Sequence, residues 1–301
     1  MSSASVNRDL ASDYVASVVE KYAVHVGPGS AAVRAANELV PALREWAGRY
    51  LLDIGVSGSY AKGTAISLGT DVDVFVSLSE VAGDSMKHIY WSLFQFLADR
   101  GLRPQAWNVS VRVERTGIQV DVVPGRKQQG SAGDHTLYRR KKGSWVQTNV
   151  AEHIRLVLGS GRTREIRALK IWRERNRLDF PSFYLELVVM KALSGARAEG
   201  LAGNVSRVFE FLSDRFERAR VVDPANSKNV LSDDLSPEEK RVIAVAAGKS
   251  LMRIGARLPQ GLKPTLLPAF AARLKPCPPE NPGRLPNPML PESSGWEGVL
   301  W

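Results

Sequence analysis

The chain has 301 residues, 44% of them apolar and 24% charged, ample for one large domain or two moderate ones. A single cysteine, Cys277, excludes an intramolecular disulfide, and the four histidines (His25, His88, His135, His153) form no cluster at structural-zinc spacing. No run has the length of a secretory leader's apolar core or of a membrane span, so the expectation is a cytoplasmic protein without a membrane partner; 41 Lys+Arg against 31 Asp+Glu, a formal charge of +10, favour polyanionic partners.

Apolar positions recur at three and four over residues 8–24, and Gly27-Pro28-Gly29 stops that helix. A second helix starts at Ser30 as N-cap and runs through Leu39, Leu43 and Trp46 toward Arg49. Residues 51–56 and 72–78 are β-branched-rich runs around a Gly/Ser/Thr-rich connection and read as two buried strands. Residues 86–100 read as a helix, and 109–115 with 119–123 as a hairpin about Thr116-Gly117, its second strand ended by Pro124-Gly125, which completes a mixed sheet. YRRKK at 138–142, followed by Trp145, reads as a solvated loop between domains. From residue 150 the pattern turns helical, over 149–158, 164–177, 182–196, 204–216 and 236–256. Ten of the 17 prolines fall in 259–301, a polyproline-like tail or a tail packed over the body through Leu266, Leu267, Phe270, Trp296 and Trp301. The expected division is 1–148, a sheet core with N-terminal helices; 149–258, a helical domain; and 259–301, the Pro-rich tail.

The chemistry concentrates in GVSGSYAKGTAISLGTDVDVFV, residues 55–76. With a side-chain period of two, Asp71 and Asp73 project from one face while Val72 and Val74 enter the core. Two carboxylates side by side need a counter-charge, and a divalent cation with oxygen ligands, Mg²⁺ foremost and Mn²⁺ as an alternative, supplies it. IQVDVVP puts Asp121 in a third β-rich run, 48 residues after Asp73 and again between apolar neighbours. Three acids on adjacent strands can hold two metals, one lowering the pKa of an attacking hydroxyl and the other neutralising a triphosphate leaving group. Gly58 lets the backbone approach a phosphate, Ser59 and Thr64 offer hydroxyls, and Lys62 and Gly63 reinforce that loop. It is not the common ATPase phosphate loop: Gly248-Lys249-Ser250 lacks the earlier glycine.

The second half adds cations and aromatics whose own reading stays open. Lys170 and Arg173 fall within about 40° of Ile166 on a helical wheel and so border either a buried cleft or the solvated basic face that Arg162, Arg164, Arg167, Arg175 and Arg177 suggest. Phe183 beside Ser182 is a core aromatic or a base-stacking one. DPANSKN at 223–229 reads as structural, with Asp223-Pro224 turning the chain, and His153 as a hydrogen-bonded residue rather than a ligand.

Gly58-Ser59, Asp71-X-Asp73 and Asp121 together resemble the nucleotidyltransferase superfamily related to DNA polymerase β. ALKIWRERNRLDFPSFYLEL at 168–187 and VVDPANSKNV at 221–230 are similar to segments of the cyclic GMP-AMP synthase/DncV-like (CD-NTase) family, which is related to the 2′-5′-oligoadenylate synthases. The resemblance spans about residues 50–250. It implies an α/β (α+β) fold, a polymerase β-like mixed sheet with flanking helices plus a C-terminal helical domain. It also implies that Lys170 and Ser182 hold the donor triphosphate with Gly58 and Ser59, in the cleft between sheet and helical domains, and that Phe183 lies against a base.

The expected function is two-metal nucleotidyl transfer, joining nucleoside triphosphates (ATP, GTP or others) into a cyclic or linear oligonucleotide second messenger with release of pyrophosphate. Asp71, Asp73 and Asp121 carry the metals. In bacteria, the resemblance implies a role in anti-phage signalling. The nearest rival is a template-independent RNA nucleotidyltransferase such as a tRNA CCA-adding enzyme, which needs an RNA acceptor. A rival of another class is a non-catalytic nucleic-acid-binding module, against which three mutually repelling acids speak. The Pro-rich tail is either a protein-docking segment or passive packing.

Overall fold

Valine alternation lays down the sheet in the computed structural model, which describes residues 3–257 apart from Pro28, Thr70, Asp84, Ala132 and 196–198. The Pro-rich tail at 259–301, with Cys277, Trp296 and Trp301, lies outside the described residues. Helices α1 (Ser3–Lys21) and α2 (Ala31–Ala47) precede strand β1 (Leu51–Ser57), a single helical turn α3 (Gly58–Ala61), strand β2 (Val72–Leu78) and helix α4 (Met86–Asp99). Strands β3 (Gln105–Ala106), β4 (Val111–Arg115), β5 (Ile118–Lys127), β6 (His135–Arg139) and β7 (Ser144–Thr148) follow. Helices α5 (Val150–Gly159), α6 (Thr163–Arg175), α7 (Ser182–Ala192) and α8 (Gly200–Asp214) lead to the hairpin β8 (Val222–Asp223), β9 (Asn226–Val230) and to helix α9 (Pro237–Arg257). Among the described residues two compact units result: one holds Tyr22–Arg167 with Arg220–Leu231, the other the described residues up to Lys21, Ala168–Ala219 and the described residues from Ser232.

The first unit is built on a seven-stranded mixed sheet in the order β1-β2-β5-β4-β3, with β6 and β7 continuing from the far end of β5. β1 and β2 are antiparallel and β2 and β5 parallel. Val72, Val74, Val76, Val111, Val113, Val120 and Val122, all essentially inaccessible, form one face against Leu39 and Leu43 of α2 and Tyr90, Leu93 and Leu97 of α4. Serine caps start both helices: Ser30 Oγ accepts from Val33 N at 3.1 Å, and Ser85 Oγ from His88 N at 3.1 Å. Residues of opposite parity are left for the other face, where the chemistry sits.

Four local expectations are corrected here. β5 does not stop at Pro124-Gly125 but runs to Lys127, because β4 pairs only as far as Val122 and proline's missing N–H falls where β5 has no partner on that side. Gly125 is needed there, since a Cβ would come within 2.5 Å of Phe75 Cζ. Nor does the hairpin complete the sheet: YRRKK is not a loop, as Tyr138 and Arg139 lie on β6, Arg140–Lys142 form the turn and Trp145 pairs with Tyr138 from β7. The Gly/Ser/Thr-rich connection after β1 is not loop throughout, since its first residues coil into α3. The segment at 222–230 is a β-hairpin, turned as expected by Asp223, whose Oδ1 accepts from Ala225 N at 2.9 Å. His153 Nε2 donates to the same Oδ1 at 2.8 Å and ties the hairpin to α5.

The second unit is helical, packed around Trp172, Tyr184, Val188, Val208, Phe209 and Phe216. Phe180, Tyr184 and Phe216 stack with centroids 5.2–5.5 Å apart, and Trp172 Nε1 donates to Ser250 Oγ at 3.0 Å. α7 is buried from Tyr184 through Val189, which includes Glu186. A carboxylate in that position needs a cation, and Lys170 Nζ of α6 meets Glu186 Oε1 at 2.7 Å.

Candidate active site

Strand register assembles the acids. Asp73 on β2 stands opposite Asp121 on β5, and Asp121 stands opposite Arg112 on β4, so two acids and an arginine form a row across three adjacent strands. Their neighbours Val72, Val74, Val120, Val122, Val111 and Val113 enter the core, which directs all three to the other face. Asp71 comes two residues before Asp73 and shares its parity.

The Arg112 guanidinium holds the row together. Its Nε donates to Asp121 Oδ1 at 2.7 Å and its Nη2 to Asp121 Oδ2 at 2.6 Å, a two-pronged fork. The same Nη2 donates to Asp71 Oδ2 at 2.9 Å. The side chain of Asp121 is 10% exposed, that of Arg112 16% and that of Asp71 45%, so the ion pair is tightest where water is scarcest. The hydrogen bonds that Arg112 donates to Asp121 above all, opposed by burial and helped by the charges of Asp121, Asp71 and Asp73, raise the guanidinium pKa further above its already high range. Its far side lies over the Trp107 ring, 4.1 Å from the centroid. Tyr90 of α4 fixes that backing: its hydroxyl lies 2.7 Å from Trp107 O and 2.9 Å from Ser110 O, and burial above all pushes its pKa up to about 12.

Gly58 follows Ser57, which pairs with Asp73 across β1 and β2. Gly58 has φ +58, and a Cβ there would collide with the Asp73 carboxylate, lying 2.9 Å even from Asp73 Cβ. Only glycine admits the α3 turn this close to the acid. Ser59 is half-buried, and its carbonyl accepts from Thr64 N at 2.9 Å; Thr64 is fully buried and Lys62 nearly so. Arg167 Nε donates to Gly63 O at 2.9 Å and secures the end of this loop. Tyr60 of α3 has its pKa raised by burial first and then by the charge of Asp71.

Asp71, Asp73, Asp121, Gly58 and Ser59 thus belong to the sheet unit, and the first four come together. Lys170, Ser182 and Phe183 belong to the helical unit. There Ser182 is exposed at the start of α7, its Oγ accepting from Arg173 Nη1 at 2.9 Å; Phe183 is half-buried; and Lys170, paired with Glu186, is 2% exposed. Sequence reasoning missed Arg112, Trp107 and Glu186. The first was within reach: a two-residue turn at Thr116-Gly117, with φ +49 and +78, sets Arg112 opposite Asp121.

Three carboxylates give an all-oxygen donor set that suits a hard divalent cation. Among the described residues no three acidic, histidine or cysteine side chains stand ready as a metal cage. Instead, Arg112 stands as a positive charge against Asp71 and Asp121, a stand-in consistent with a site made for cations.

No family model matches the chain. It is 28% identical over 204 residues to the cyclic AMP-AMP-AMP synthase of Escherichia coli (strain MS 115-1), a match over 59% of this chain and 63% of that protein, so the chain spans less than two thirds of that relative. Among solved structures, E. coli MS115-1 CdnC with ATP matches with TM-score 0.64 and 22% identity, over 76% of this chain and 84% of that one. The Bradyrhizobium diazoefficiens CD-NTase CdnG in complex with GTP matches with TM-score 0.59 and 13% identity, over 78% and 90%. A cytoplasmic RNA terminal U-transferase matches with TM-score 0.53 and 12% identity, over 79% and 92%. At such identities the structures establish the fold, a mixed sheet with flanking helices as in the polymerase β-like nucleotidyltransferases. The relatives found are of the lineage that the motifs resemble. No helix among the described residues is long and apolar enough to cross a membrane.

Proposed function

We propose that this chain is a nucleotidyltransferase, dependent on Mg²⁺ or Mn²⁺, that joins nucleoside triphosphates (ATP, GTP or both) into a cyclic or linear oligonucleotide and releases pyrophosphate. The observation that carries this reading is the row of Asp73 and Asp121 on parallel neighbouring strands, with Asp71 linked to it through Arg112 and Gly58 pressed against it. Its resemblance to a cyclic AMP-AMP-AMP synthase supports oligonucleotide synthesis in particular. A signalling role in bacterial anti-phage defence is extended to this chain only through the family that its motifs resemble.

In this proposal Asp71, Asp73 and Asp121 would hold the ions, Asp121 completing the site on the acceptor side. When bound there, a divalent metal would supply charge neutralisation for the leaving pyrophosphate and a lower pKa for the attacking hydroxyl. Asp121 takes the hydroxyl's proton on a carboxylate oxygen. Gly58 and Ser59 present backbone amide and hydroxyl to phosphate oxygens. By the same resemblance, Lys170 and Ser182 serve the triphosphate and Phe183 the base. Lys170 would then share its ammonium, which carries three donors, between phosphate and Glu186.

A second reading, template-independent RNA tailing, draws on the fold likeness to the RNA terminal U-transferase. The deciding experiment incubates the purified chain with Mg²⁺ or Mn²⁺ and the four labelled ribonucleoside triphosphates, then treats with phosphatase and resolves products by mass. Phosphatase-resistant products without added RNA are expected. Extension of an added RNA 3′ end, with no product from nucleotides alone, would move the assignment to tailing. Silence in both, together with salt-sensitive nucleic-acid binding, would leave a binding module.

A further inference from the structure

The nucleotidyl-transfer reading gives no role to a protein cation on the three acids themselves, yet Arg112 stands there. Arg112 engages both oxygens of Asp121 and Oδ2 of Asp71, the acceptor atoms that a bound divalent ion would need. A guanidinium and a dication on the same carboxylates repel each other, in surroundings where Asp121 is nearly buried and screening by water is weak. Conversely, with neither cation present the neighbouring carboxylates of Asp71, Asp73 and Asp121 would repel one another.

We propose that Arg112 is the resident counter-cation of this carboxylate site and competes with the divalent metal for Asp71 and Asp121, so that metal binds only as the guanidinium lets go. This rests on the metal-dependent reading above. Trp107 makes the exchange feasible. Its ring lies 4.1 Å from the guanidinium carbon and is held by the Tyr90 hydroxyl through its own carbonyl, so it offers the arginine a partner that does not depend on the carboxylates. Metal alone then binds weakly, and a nucleoside triphosphate, whose own negative charge draws both cations, restores the affinity. The site is thereby kept assembled when no substrate is present and is loaded by substrate and metal together.

The test is a titration of the full chain with Mn²⁺ alone, read by electron paramagnetic resonance of the free ion, for wild type, Arg112→Gln and Arg112→Lys, with thermal unfolding in chelator and in Mn²⁺ alongside. Losing a charge-assisted competitor should tighten Mn²⁺ binding by about tenfold or more in Arg112→Gln. That variant should also melt lower than wild type in chelator and regain most of the difference in Mn²⁺, whereas wild type should barely respond. Arg112→Lys keeps the charge without the fork; its affinity should lie between the two, and it carries the test if Arg112→Gln does not fold. Equal or weaker Mn²⁺ binding in both variants would overturn the proposal and make Arg112 a fixed support of the metal ligands. If none of the three proteins bound Mn²⁺, even with ATP present, the metal-dependent reading would fall and this proposal with it.

Discussion

Replacing Gly58 by alanine adds one methyl group and should dismantle the site. Two costs are separable. At φ +58 an L-residue is disfavoured by about 1–2 kcal/mol, which in a chain of this size lowers the melting temperature by roughly 2–8 °C. The new Cβ would also overlap the Asp73 carboxylate, which Ser57 on β1 and Asp121 on β5 hold in register from both sides. Asp73 must swing away, and a displacement on the order of 1 Å in a reacting site costs about 100-fold in rate. Gly161→Ala isolates the first cost, since Gly161 has φ +66 with no heavy atom within 4 Å of its virtual Cβ. Thermal unfolding and nucleotide turnover on both variants should give Gly161→Ala the backbone penalty with near-normal turnover, and Gly58→Ala a larger melting shift with turnover down at least about 100-fold. Equal behaviour of the two variants would refute the close approach of α3 to Asp73 as the reason for glycine.

Other expectations concern the support of the two units. Lys170→Met takes the paired cation from buried Glu186, and should cost about 3–5 kcal/mol in denaturant unfolding, most of it recovered in Lys170→Met/Glu186→Leu; a single variant as stable as the double would speak against the buried pair. His135 donates through Nδ1 to Gly133 O, so its Nε2 accepts from the Ser77 hydroxyl, and burial lowers its pKa. The unfolded chain therefore protonates first: this stabilisation is complete above about pH 6.5 and is lost as pH falls through the lower folded value. Melting temperatures between pH 7.5 and 5 should decline less in His135→Asn, and identical slopes would remove the assignment. Tyr90→Phe removes one donor from the carbonyls of Trp107 and Ser110, which keep Arg140 Nε and Trp107 N respectively, and should cost about 1 kcal/mol in denaturant unfolding, with a visible change in tryptophan fluorescence; unchanged stability would show that those remaining donors hold the 107–110 segment by themselves.

The three acids were legible because strand alternation is a local rule: once Val72, Val74, Val120 and Val122 enter the core, Asp73 and Asp121 have one direction left. Their direct opposition across β2 and β5 was not legible, because a parallel register is set by packing against α2 and α4 rather than by a turn. The antiparallel partner Arg112 followed from the Thr116-Gly117 turn, but a strand arginine gives no local signal of what its guanidinium will meet. Pro124 and Gly125 look like a strand end from sequence. Only the place where β4 stops pairing shows why β5 tolerates them. Likewise YRRKK hid a hairpin because Tyr138 is the one buried residue of that run, too little apolar pattern to mark a strand. The helices were read most fully, since amphipathic periodicity and the Ser30 cap are encoded within each segment. Glu186 was hidden inside an otherwise apolar helix, its partner 16 residues away in sequence.

The central claim is that the Asp71, Asp73 and Asp121 row transfers nucleotides. The most direct measurement follows pyrophosphate released from the four ribonucleoside triphosphates in Mg²⁺ by wild type and by Asp73→Asn, with circular dichroism to confirm that both are folded. The account predicts one pyrophosphate for each nucleotide joined by wild type and none above background from the variant. Equal release by both folded proteins would contradict it.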